Sequence, residues 1–148
     1  MAVDRSEIAR VFERAPVLVE QLTAEAPFAT REAFLTRART YLDGMNESER
    51  VAVLNAHPRI GASEGALSAD SRREQGGLES EAVLRELADL NDRYEKKFGF
   101  RFVVFVAGRP KSAIVPLLRE RLERTRDQEL ATAVGEVVAI ARDRLART

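Results

Sequence analysis

One histidine occurs in the chain, His57, inside the stretch AHPRIGAS at 56–63. An imidazole takes up and gives off a proton near neutrality, so a single one in a restrained turn is a candidate proton carrier. Pro58 restricts the backbone of the residue before it, and Gly61 permits close backbone approach to a ligand. The position follows an expected helix C-terminus, where the dipole favours a protonated ring that could donate a proton or hold an anion. A lone histidine at a helix end also suits a plain surface or core role, and the local pattern leaves both readings open.

Three other stretches carry chemistry of their own. In Ser71-Arg72-Arg73-Glu74-Gln75, Ser71 and Glu74 fit a capping box that starts a helix. Ser71, Glu74 and Gln75 also share a helix face at i, i+3 and i+4. That face offers a hydroxyl, a carboxylate and an amide to a small molecule rich in N–H and C=O groups; spacing alone favours the capping box. FGFRFVVFVAG at 98–108 is either core filling or a pocket wall whose extended backbone meets a planar heterocycle. Arg142, Arg144 and Arg147 lie near the C-terminus. Helix arginines usually point to water, but a substrate carboxylate would need one turned inward to grip it with a bidentate fork.

Composition removes several classes of function. The 148 residues have 24 Lys plus Arg and 24 Asp plus Glu, hence zero net charge. Nothing in that balance draws nucleic acid or an anionic membrane, and there is no basic stripe interleaved with aromatics. Without cysteine there are no disulfides, thiolate nucleophiles or zinc ribbons, which fits a reducing cytoplasm. One histidine rules out a His-rich metal site. No apolar run is long enough to span a bilayer. The charged, amphipathic N-terminus does not read as a signal peptide, nor the terminal LART as a lipidation or sorting tail.

The elements that must position these residues read as helical nearly throughout, in a single domain over 1–148. Asp4 or Ser6 caps a first helix, and Pro16 opens a second ending at Leu22. Thr30 caps a third carrying Phe34, Ala38, Tyr41 and Leu42. Asn46 and Glu49 form a capping box for a fourth, which ends near Ala56 because a residue before proline leaves the helical region. Residues 57–70 read as loop and SRREQGG as a short helix stopped by Gly76 and Gly77. A long helix runs from about Glu79 to Phe98 on a stripe of Leu84, Leu87, Leu90, Tyr94 and Phe98. The aromatic, β-branched run that follows, near 99–107, favours extended backbone. With no partner strand elsewhere, it reads as a buried connector rather than a sheet. Pro110 opens a helix to about Arg124, and a last one runs from Asp127 to about Ala146. The class is all-α, a bundle of about seven to nine helices.

AHPRIG at 56–61, SRREQGGL at 71–78, NDRYEKKFGFRFVVFVAGR at 91–109 and EVVAIARDRL at 136–145 together resemble the 2-oxo-4-hydroxy-4-carboxy-5-ureidoimidazoline (OHCU) decarboxylase family of urate breakdown. The pieces occur in the family's order over roughly the last two thirds of the chain. The resemblance implies an all-helical fold, often homodimeric, with no metal or organic cofactor, and conversion of OHCU to (S)-allantoin and CO₂. It implies that His57, Glu74 and Arg144 form the catalytic set. Pro58, Ser71, Arg72, Arg73, Gln75 and the backbone of Val103, Val104, Phe105, Val106 and Ala107 are then the expected substrate contacts. The sequence departs from the pattern in three places. The gap from His57 to Ser71 is short. Arg101 stands where a small residue or proline is usual, and is expected to point outward. Asp143 stands where an apolar residue is usual, which leaves Arg142 as a rival to Arg144.

One chemical point agrees independently. Loss of CO₂ leaves an electron pair that needs a sink, and the conjugated C=N and C=O groups of such a heterocycle accept it. No pyridoxal or thiamine motif is required, and none is present. Two competing readings are a non-catalytic helical binding or interaction module, and a decarboxylase of a related carboxylated heterocycle.

Overall fold

In a computed structural model, residues 2–61 and 81–147 are described. Among them the fold is all-α, with seven helices: α1 (Arg5–Val11), α2 (Pro16–Thr23), α3 (Arg31–Gly44), α4 (Glu47–Asn55), α5 (Glu81–Phe98), α6 (Lys111–Leu122) and α7 (Arg126–Ala146). The chain divides into two compact units, Met1–Ala56 with Val134–Thr148, and His57–Ala133. The expected SRREQGG helix and most of the 57–70 loop lie outside the described residues.

Local chemistry sets the helix starts. The Asp4 carboxylate accepts from the Glu7 N–H at 3.0 Å, and the Glu7 carboxylate reaches back to the Asp4 N–H. Asn46 and Glu49 form the same reciprocal pair at α4, at 2.8 and 3.1 Å. Thr30 accepts from the Ala33 N–H at 3.0 Å, and Pro16 occupies the first turn of α2. Each side chain satisfies a donor that a helix start leaves unpaired, or, for proline, lacks that donor. At the other end of α4, Ala56 is the C-cap immediately before His57.

In the first unit, α2 packs on α1 and α3. Phe34 is fully buried there, with the Phe12 and Phe28 rings at 5.8 and 5.4 Å. An antiparallel bridge between Val3 and Phe28 ties the N-terminus down. In the second unit, α5 packs on α6. The connector between them, 99–110, has neither helix nor strand. It buries Phe100, Phe102, Val103, Val104 and Val106, as its composition predicts. The Tyr94 ring meets those of Phe98, Phe100 and Phe102 at 4.6, 6.0 and 5.3 Å.

The second unit also buries a charge. Glu129 has no exposed surface. Its carboxylate accepts from the Tyr94 hydroxyl at 2.6 Å, Arg121 Nε at 2.7 Å and Arg124 Nη1 at 3.2 Å. A carboxylate removed from water survives only when paired and hydrogen-bonded in this way. Burial, with the bond to Glu129, pushes the Tyr94 phenol well above its usual value, so Tyr94 stays a donor.

Phe34→Ala empties the centre of the first unit's aromatic group. It is expected to cost about 3–5 kcal/mol, read as a lower midpoint in urea denaturation with little change in slope.

Candidate active site

His57 begins the second unit and is half-buried. Its backbone is fixed from the connector: Arg101 Nη1 donates to the His57 carbonyl at 3.0 Å. Arg101 therefore does not point outward as its sequence position suggests. A carbonyl past a helix end has no helical partner, and the guanidinium supplies one.

The residues after His57 are held by α5. Arg59 bonds Glu95 through Nε at 2.6 Å and Asp92 through Nη2 at 2.5 Å. Asp92 and Glu95 are three apart on one helix face, so one planar fork spans both. Asn91, also on α5, donates to the Ile60 carbonyl at 3.1 Å and is buried. Gly61 then turns the chain at φ +88°, a conformation that a side chain disfavours. Space is not the constraint, since an added Cβ would stand 3.6 Å from Leu87, an ordinary contact. Pro58, half-buried, thus sits in a turn fastened on both sides.

The connector supplies a second element. Val103, Val104 and Val106 are buried, Phe105 is half-buried, and Ala107 is exposed. Ala107 has φ +55° and Gly108 φ +74°, which turns the chain before α6. Arginines occupy its carbonyls. Arg121 Nη1 donates to Val103 O at 2.8 Å. Arg109 donates to Val106 O through Nε at 2.8 Å and to Phe105 O through Nη2 at 2.6 Å.

Arg144 belongs to the first unit. It is buried, donates through Nη1 to Val11 O at 3.0 Å, and lies 3.5 Å from the Glu13 carboxylate. Arg142 is exposed and paired with Glu32. Of the two candidates, Arg144 is the one turned inward. Arg147 is exposed and paired with Asp143. Ser71, Arg72, Arg73, Glu74 and Gln75 lie outside the described residues.

The profile of the OHCU decarboxylase family matches residues 4–146. The chain belongs to that family. Its relatives include 2-oxo-4-hydroxy-4-carboxy-5-ureidoimidazoline decarboxylase of Mus musculus, 30% identical over 97% of this chain and 87% of that one. The uric acid degradation bifunctional protein PucL of Bacillus subtilis is 32% identical over 92% of this chain but 28% of its own length. A crystal structure of an OHCU decarboxylase in the presence of (S)-allantoin superposes with a TM-score of 0.79 at 27% identity, covering 95% of this chain and 96% of that one. The family match spans both compact units.

Arg59, Arg101, Arg109 and Arg121 are framework residues that the sequence motifs do not mark as such. Asp92 and Glu95, three apart on one face, were a visible signal for the Arg59 clamp. The partners of Arg101 and Arg121 lie 44 and 18 positions away, where no local pattern reaches.

The clamp has a pH signature. Asp92 is held below its ordinary value of 3.8, first by the hydrogen bond from Arg59 and then by its charge. A carboxylate depressed in this way adds stability above its unfolded-chain value, and that stability is lost as pH falls through the folded value. Carbon-detected NMR titration is expected to place the Asp92 midpoint below 3.8. In Arg59→Met the midpoint should move back up.

Proposed function

We propose that this protein removes the carboxylate of OHCU to give (S)-allantoin and CO₂, and that His57 carries the proton. The observation that bears this reading is the His57 turn. A family member's sole imidazole is half-buried, with its carbonyl fastened by Arg101 and its following residues fastened by α5.

The chemistry asks for positioning, charge and a proton. The bond to the carboxylate breaks and CO₂ leaves. The electron pair passes into the substrate's own conjugated C=N and C=O groups, so no added electron sink is needed. One proton, delivered to one face of the carbanion-like centre, sets the S configuration. In this reading His57 moves that proton, as base at the substrate hydroxyl, as acid at the nascent centre, or as both in turn. Arg144 holds the carboxylate by a fork; its burial supports the choice over Arg142. Glu74 completes the catalytic set and holds ureido or ring N–H groups. Pro58, Ser71, Arg72, Arg73, Gln75 and the backbone of 103–107 complete the substrate contacts. Residues 1–148 are read as a single OHCU decarboxylase-like domain, which a family match over residues 4–146 supports.

The setting is a cytoplasm, which the absence of cysteine suits. No helix among the described residues is long and apolar enough to cross a membrane. The assembly is a homodimer, which light scattering after size exclusion tests directly.

The deciding experiment generates OHCU in place from urate with urate oxidase and hydroxyisourate hydrolase, and follows circular dichroism at the allantoin bands. The wild-type protein is expected to give a fast rise of one enantiomer. His57→Ala and His57→Asn should lose turnover by roughly 10²-fold or more while keeping the far-ultraviolet helical signal. A wild-type rate no faster than the enzyme-free control would remove the decarboxylase reading and leave a ligand-binding module.

A further inference from the structure

Across residues 103–106, three of the four carbonyls are held by arginine side chains, while none of the four amides is paired among the described residues. Arg121 holds Val103 O, and Arg109 holds Phe105 O and Val106 O. Among the described residues, nothing accepts from the N–H groups of Val103, Val104, Phe105 or Val106. Val103, Val104 and Val106 are 2–3% exposed, and buried N–H groups left unpaired are rare. Unpaired donors in buried residues mark a place for an acceptor-bearing ligand.

Arg121 is committed to this geometry. It is 3% exposed, stacks over the Phe102 ring at 4.6 Å, and pairs through Nε with the buried Glu129 carboxylate at 2.7 Å. Glu129 is held in turn by Tyr94 and Arg124. The one side chain thus bridges a fixed anion on α7 and a carbonyl of the connector. A lysine, with a single ammonium, cannot reproduce that planar fork. Arg109 acts at the other end of the connector from an exposed position.

We propose that Arg121 and Arg109 are positioning residues: they fix the connector by its carbonyls so that unpaired N–H groups within residues 103–106 meet carbonyl or carboxylate oxygens of the substrate. This rests on the decarboxylase reading for the identity of the substrate. The placing of the amides does not depend on it.

The test uses the full chain as Arg121→Lys, Arg109→Met and, as a control, Tyr94→Phe. Tyr94→Phe removes one bond to Glu129 and leaves the Arg121–Val103 bond in place. The measurements are melting temperature, kcat and KM on OHCU well below melting, and ¹⁵N–¹H amide shifts of residues 103–106. Arg121→Lys and Arg109→Met are expected to move the amide signals at 103–106 and to lower kcat/KM roughly tenfold to a hundredfold. Tyr94→Phe should lower the melting temperature while kcat/KM stays within about threefold. A variant that melts lower but keeps both its amide shifts and kcat/KM gives its arginine a merely structural role and overturns the proposal. Loss of kcat/KM in Tyr94→Phe equal to that in Arg121→Lys overturns it too. Should Arg121→Lys not fold, the exposed Arg109→Met decides. If the wild type does not turn over OHCU, the decarboxylase reading fails, while the amide shifts still decide whether the arginines place the connector.

Discussion

The second unit depends on a carboxylate that water does not reach. Glu129 carries its charge in the interior, where desolvation costs several kcal/mol unless partners compensate. Three compensate here, and they come from different places: Tyr94 from α5, Arg121 from α6 and Arg124 from the turn before α7. One anion therefore fastens three successive segments. Removing a partner from such a group is more damaging than never having built it, because the remaining charge stays buried and unpaired. The same anion orients Arg121, whose other nitrogen reaches Val103. Through that contact the demands of a buried charge become the shape of the connector.

A second pattern runs through the molecule. Cationic side chains satisfy carbonyls of irregular backbone and of helix ends: Arg101 at His57, Arg121 at Val103, Arg109 at Phe105 and Val106, and Arg126 at Phe98, the last residue of α5. In the first unit Arg144 does the same for Val11. A helix satisfies its own interior backbone, while its last carbonyls, like those of a turn or connector, must find donors elsewhere. Arginine reaches far and has five donors in a rigid plane, so it can fix such segments without a sheet. Balanced composition hides this use, since a chain of zero net charge still turns several of its arginines onto its own backbone.

What was legible in the sequence was local. Asp4, Thr30 and Asn46 announce helix starts because a cap acts within three residues. Phe100, Phe102 and Val103 announce burial because aromatic and β-branched residues together have few other uses. The His57 turn was legible from Pro58 and Gly61, and the structure adds what holds it. What was not legible was long-range. Arg101 reads as a surface residue, because an arginine's default is solvent and its acceptor lies 44 positions away. Glu129 reads as one acidic residue in a helix's first turn, where the dipole welcomes it. Only packing shows that it is fully buried and shared. Of the site itself, the face of Ser71, Glu74 and Gln75 rests on sequence and family alone.

The arginine-built framework has a further consequence for the lone histidine. A guanidinium does not release its proton in a protein, and the carbonyls it grips have none to exchange. The clamps on His57, Val103, Phe105 and Val106 are therefore indifferent to pH across the physiological range. Across that range these carbonyl clamps are proton-silent, and imidazole is the one side-chain type present whose ordinary titration falls there. A chain built this way separates the part that holds shape from the part that exchanges protons.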